Sequence, residues 1–84
     1  MKQIEIYTTQ TCPYCLAAKR LLQKKGAVYA EIDVGLDPAL RAAMTERAGG
    51  RRSVPQIFIG GVHVGGSDDL YALEDAGKLD AMLA

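Results

Sequence analysis

The sequence predicts an α/β fold with the order β-α-β-α-β-β-α, a four-stranded mixed sheet flanked by helices. Three observations carry this. Residues 3–7 (QIEIY) place Ile4 and Ile6 on one face and Glu5 on the other, the period of a strand. A helical segment and a second strand-like run at 28–34 (VYAEIDV) follow, and strand–helix–strand implies a parallel pair with a right-handed crossover. Near the end, QIFI and VHV flank Gly60-Gly61, a hairpin signal that adds antiparallel strands. With 84 residues, the chain is expected to form one domain over 1–84. At that size about 60% of the unfolded surface is buried, so the core is modest.

The helices follow from spacing and punctuation. The first, over 13–25, begins with Pro13, carries Leu16, Ala17, Ala18, Leu21 and Leu22 at helical intervals, and stops at Gly26. Asp37-Pro38 opens the second, which runs through Leu40, Ala43 and Met44 to Gly49-Gly50. Gly65-Gly66 precedes the last, expected over 67–76 and resuming as far as Leu83.

Ten basic residues balance ten acidic ones, so the basic excess expected of a nucleic-acid-binding protein is missing. No apolar run approaches the ~20 residues that span a bilayer, so no membrane partner is expected. The N-terminal MKQIEIYTT enters polar–apolar alternation with no secretory h-region, which makes the reducing cytoplasm the expected compartment.

Both cysteines lie in Thr11-Cys12-Pro13-Tyr14-Cys15-Leu16. In a reducing compartment a close pair points to catalysis or metal rather than to a structural staple, and a disulfide closing so short a loop would add little stability. A zinc site would draw on Cys12, Cys15 and His63, one short of the usual four ligands. Two unrelated buried cysteines are the other alternative. C-x-x-C after a strand and before a helix favours redox chemistry. Pro13 suits the first helical position, which makes Cys12 the N-cap. There its sulfur faces the free amides of Tyr14 and Cys15 and the positive end of the helix dipole, and both favour the thiolate. Cys15, a turn further in, is expected to be more buried and less ionised. One cysteine attacks and the other resolves.

Taken with two later motifs, the chain resembles the glutaredoxins over essentially its whole length. Cys12-Pro13-Tyr14-Cys15 is the dithiol active-site sequence of small bacterial-type members. Ser53-Val54-Pro55 is close to the family's Thr-Val-Pro, and Gly65-Gly66-Ser67-Asp68-Asp69-Leu70 to its Gly-Gly element. The resemblance implies a thioredoxin-like fold and a glutathione-dependent thiol–disulfide oxidoreductase that reduces protein–glutathione mixed disulfides and protein disulfides. It also implies a cis bond before Pro55, facing the active cysteine, and backbone pairing of Val54 with glutathione. Ser53 differs from the family's threonine without affecting that backbone role.

Glutathione carries two carboxylates and one ammonium. The helix start at 67–69, reached through Gly66, can take the γ-glutamyl end, with Asp68 or Asp69 facing the ammonium. Arg41 and Arg52 are the candidates for the glycine carboxylate; Arg51 and Arg52 can equally be solvated charges. Tyr14 is expected to wall the groove. Thr9 stands where many glutaredoxins have a lysine three residues before the first cysteine. His63 reads as non-catalytic.

The resemblance implies no tightly bound cofactor and no metal, with glutathione as reductant and co-substrate. The implied partners are glutathionylated or disulfide-bearing proteins, ribonucleotide reductase among them, met by a monomer. Two rivals stand beside it. An electron donor to ribonucleotide reductase served by thioredoxin reductase would share the fold, but its stretch matching 65–70 looks different. An iron–sulfur scaffold, two chains and two glutathiones holding a cluster through Cys12, is commoner where the second cysteine is absent and the proline after the first is replaced.

Overall fold

The computed structural model describes residues 1–84. Strand β1 (Ile4–Thr8) lies inside the sheet, between β2 (Tyr29–Asp33) and β3 (Gln56–Ile59), and β4 (Val62–Gly65) forms the far edge, giving the order β2-β1-β3-β4. The β1–β2 pair is parallel, with Ile6 opposite Glu31, and the two pairs made by β3 are antiparallel. Helices α1 (Pro13–Lys24), α2 (Pro38–Arg47), α3 (Ser67–Asp75) and α4 (Leu79–Leu83) complete the chain. This is the mixed sheet flanked by helices expected from the sequence.

The two-residue period of the strands divides the core between two faces. Ile4, Ile6, Ile57 and Ile59 point to one side and pack with Leu21 and Leu22 of α1, Leu70 of α3, and Leu79 and Leu83 of α4. Tyr7 and Phe58 point to the other and pack with Met44 of α2, Val34 and Ala48. A helix that belongs to one face therefore cannot move to the other without slipping the register by a residue.

The last helix stops and resumes as expected, its first part ending at Asp75. It breaks into α3 and α4 because Gly77 takes a left-handed conformation, φ +70°, that a side chain would disfavour. The Lys78 N–H then reaches back to the Leu73 carbonyl at 2.8 Å, closing the helix end. The second strand is shorter than its apolar pattern, since Val28 is exposed.

Helix α2 is secured to the sheet by its last residue. The Arg47 guanidinium donates to both carboxylate oxygens of Glu5, at 3.0 and 2.8 Å, and to the Tyr7 hydroxyl at 3.2 Å. It also sits 3.9 Å from the centre of the Phe58 ring. This bidentate contact, chiefly through its hydrogen bonds, holds the Glu5 carboxyl below the ordinary carboxylate range. A carboxyl with a depressed folded pKa stabilises the fold fully above its unfolded value, about 4.3 for Glu, and that stability is lost as pH falls through the lower folded value. The melting-temperature gap between wild type and Glu5→Gln should accordingly be largest near pH 7 and narrow below about pH 4. A constant gap from pH 7 to pH 3 would show that the charge of Glu5 is not what Arg47 uses.

Candidate active site

The first turn of α1 is built on Cys12. Its backbone is extended, φ −113° and ψ 107°, Pro13 occupies the start of the helix, and the Cys15 N–H donates to Cys12 Sγ at 3.1 Å. Tyr14 makes no such bond to the sulfur, so the cap is a single donor rather than the pair expected. The Cys12 thiol lies 3.7 Å from the Val54 carbonyl, to which it donates. Both cysteines are free; Cys12 is half-buried and Cys15 is 1% exposed.

Burial pushes the Cys15 thiol up to about 12, and the neighbouring Cys12 adds to the rise, while a backbone hydrogen bond from Thr9 and the charge of Lys19 pull the other way. The two sulfurs are therefore unequal, one at the helix mouth and one sealed behind it. His63, the third residue of the zinc alternative, lies on β4 and is hydrogen-bonded to Gln56 at 2.7 Å. No group of three or more His, Cys, Asp or Glu side chains is arranged to hold a metal ion.

Across from Cys12 runs a groove with three walls. Tyr14, two-thirds exposed, forms one; Ser53, Val54 and Pro55 form the second; Gly66, Ser67 and Asp68 at the start of α3 form the third. The Val54–Pro55 peptide is cis. The Val54 N–H donates to no atom of the protein. At the α3 end, Asp69 turns back to accept from the Gly66 N–H at 2.8 Å and from Arg51 at 3.0 Å. The Gly66 amide, then Arg51, hold its carboxyl below the usual range. This turn requires glycine at 65, where φ is +119° and a Cβ would overlap the Asp69 carboxylate.

The arginines separate. Arg51, set aside in the sequence as a candidate solvated charge, lines the groove. Arg41 and Arg52 line a neighbouring cleft on α2 with Pro38 and Glu46, where Arg41 donates to the Arg52 carbonyl at 3.0 Å. Asp68 faces the groove while Asp69 is engaged by the cap. On the opposite side of Cys12, a second hollow is lined by Thr9, Gln10, Thr11, Leu16 and Lys19. Lys19, held by Glu31 at 3.0 Å, supplies a cation to the hollow that Thr9 also lines. Its place seven residues after Cys12 and four after Cys15, on one helix face, was a readable signal; nothing local separated Arg51 from Arg52.

A capping thiol with a buried partner one turn inside, faced by a cis-proline loop, defines a thiol–disulfide oxidoreductase of thioredoxin-like fold. Comparison with known proteins narrows the class. A family model described as glutaredoxin matches residues 4–64. A glutaredoxin of Pseudomonas aeruginosa is 56% identical over 84 residues, covering 100% of this chain and 99% of that protein. The solution structure of a glutaredoxin from Brucella melitensis is 61% identical with TM-score 0.87, covering 99% of this chain and 89% of that one. A buckwheat glutaredoxin–glutathione complex is 34% identical with TM-score 0.89, covering 98% and 76%. The chain belongs to the glutaredoxin family, in its bacterial type.

The inequality of the two sulfurs has a direct readout. Iodoacetamide at pH 8 should label Cys12 and leave Cys15 unmodified until the protein is unfolded, as followed by peptide mass. Equal labelling rates in the folded protein would contradict both the burial and the raised pKa of Cys15.

Proposed function

We propose that this protein is a dithiol glutaredoxin that uses glutathione to reduce protein–glutathione mixed disulfides and protein disulfides. The observation that carries this reading is the placement of Cys12 at a helix mouth beside a groove with an unpaired Val54 N–H and the start of α3. That surface can pair with a peptide backbone and accept a carboxylate. The buckwheat relative in complex with glutathione supports the same ligand class.

In deglutathionylation, Cys12 thiolate attacks the glutathione sulfur of the mixed disulfide. The protein thiolate leaves, and Cys12 carries the glutathione. A second glutathione thiolate attacks the glutathione sulfur of that bond, releasing oxidised glutathione and regenerating Cys12 thiolate. No metal or flavin is needed, because each step exchanges one thiolate for another. With a protein disulfide, Cys12 forms the mixed disulfide and Cys15 attacks Cys12 Sγ, leaving a Cys12–Cys15 bond that glutathione reduces. Cys15 is raised by burial and by Cys12. Tying Cys12 into a disulfide removes the repulsion of its charge, while the Thr9 amide and Lys19 keep favouring the Cys15 thiolate. The first step thus eases the second.

Asp68 faces the glutathione ammonium, since the Asp69 carboxylate is committed to Gly66 and Arg51. The γ-glutamyl carboxylate meets the amides at Ser67 and Asp68 beside Gly66, the cysteinyl backbone pairs with Val54 against Ser53 and Pro55, and Tyr14 covers the sulfur. Arg51 closes the groove, with Arg41 and Arg52 beyond it for the glycine carboxylate. Action as a monomer in the cytoplasm is part of the same reading. Glutathionylated and disulfide-bearing proteins, ribonucleotide reductase among them, are the clients of this reading.

Two experiments test it. On a glutathione mixed disulfide, the protein should turn over with glutathione and glutathione reductase and not with thioredoxin reductase. Cys12→Ser should abolish all exchange, and Cys15→Ser should keep deglutathionylation while losing most protein-disulfide reduction. Turnover by thioredoxin reductase alone, or equal loss in both variants, contradicts the mechanism. Arg51→Ala and Arg41→Ala compare the arginines. A charge-assisted hydrogen bond contributes about 1.5–3 kcal/mol when shielded and less when exposed, so the arginine in use should raise the glutathione requirement by about three- to tenfold. Unchanged kinetics in both would leave Arg52 or the backbone to hold that carboxylate.

A further inference from the structure

Behind the groove, on the α2 face of the sheet, a second hydrogen-bonded chain runs from β4 to the cis-proline loop. His63 stands opposite Phe58 in the β3–β4 register and stacks on its ring, with centroids 4.9 Å apart. Gln56, two residues before Phe58 and therefore on the same face, is completely buried. Its Nε2 donates to the Ser53 carbonyl at 3.0 Å and approaches the Ser53 hydroxyl at 3.3 Å, and its Oε1 lies 2.7 Å from His63 Nε2.

The chemistry fixes the direction of the bonds that Gln56 makes to the Ser53 carbonyl and to His63. The Ser53 carbonyl can only accept, so the amide nitrogen of Gln56 must face it and the amide oxygen must face His63. His63 Nε2 is then the donor. If it lacked that proton, two acceptors would meet in a buried place, and Gln56 would gain by turning away from Ser53. The Ser53 carbonyl belongs to the same planar peptide unit as the Val54 N–H, and in a trans peptide the two point in opposite directions. Anchoring the carbonyl inward therefore turns the amide outward, and this is the N–H that finds no partner within the protein.

We infer that His63, acting through Gln56, is a positioning residue for the groove, aiming the Val54 N–H at the backbone of a bound glutathione. The inference rests on the glutathione reading above. His63 touches neither substrate nor reacting sulfur, so it is not catalytic, and its effect is on affinity.

Calorimetric binding of S-methylglutathione, which cannot exchange, tests this with two substitutions that separate the ring from the donor. His63→Phe keeps the stack on Phe58 and removes the N–H; His63→Gln loses the stack and keeps an amide N–H at similar reach. The donor role predicts a Kd about three- to tenfold weaker for His63→Phe, with His63→Gln close to wild type. A role in packing alone predicts the reverse order. An unchanged Kd for His63→Phe, or the reversed order, overturns the proposal while leaving the glutathione reading standing. Wild-type protein that fails to bind S-methylglutathione overturns that reading and the proposal with it. Should either His63 variant fail to fold, Gln56→Met removes the same grip on Ser53 and carries the test, with the same loss expected and an unchanged Kd as the refuting result.

Discussion

At the start of α1 the sulfur of Cys12 is the only side chain that caps the free backbone amides, taking the Cys15 N–H at 3.1 Å. The bond serves structure and chemistry together. It begins the helix at Pro13, which turns the Leu21 and Leu22 face onto the sheet, and it directs the partial positive charge of an amide N–H at the exposed side of the pair. It also sets Cys15 one turn deeper, against the core, where its thiol stays protonated. One capping geometry thus makes the two sulfurs unequal, one at the helix mouth and one sealed behind it, the arrangement that an attacking and a resolving thiol would need.

The groove depends on the same economy of backbone groups. The backbone makes 51 hydrogen bonds with itself, yet Val54 keeps its N–H free beside the cis proline. Around it, several polar side chains are fixed by partners. Asp69 closes the start of α3 and pins Arg51. Gln56 holds the Ser53 carbonyl. No buried side-chain donor or acceptor is left without a partner. A site with its donors already oriented loses less order when a flexible tripeptide arrives.

Charge at the site is local rather than global. The chain is neutral overall, but Arg51 lines the groove, Arg41 and Arg52 the cleft beside it, and Lys19 the hollow behind Cys12. A cation reaches the neighbourhood of Thr9 from the helix instead of from the loop, held there by Glu31, whose carboxylate also accepts from the Thr8 hydroxyl. Away from the site, the ion pair of Arg47 with Glu5 holds α2 to the sheet.

Periodicity made the strands, α1 and α2 legible in the sequence, because alternation and helical spacing are local properties that packing here reinforces. The N-cap role of Cys12 was legible too, since Cys-Pro at a helix start leaves the sulfur few other places to be. The motif at 65–70 showed where a backbone turn was needed, though not that Asp69 would be used up in making it while Asp68 stayed free. Arg51 and Arg52, adjacent and chemically identical, could not be told apart until the fold sent one into the groove and the other toward α2. Gln56 and His63 looked like ordinary strand residues. Their roles depend on a register that sets residue 63 opposite residue 58 and on a loop that returns Ser53 to Gln56. What the sequence determined by itself was the set of elements and the placement of both sulfurs at the start of α1, which follow from neighbours in the chain. Which charges and amides surround those sulfurs was decided only by the tertiary structure, because those partners are distant in sequence and meet only once the sheet has formed.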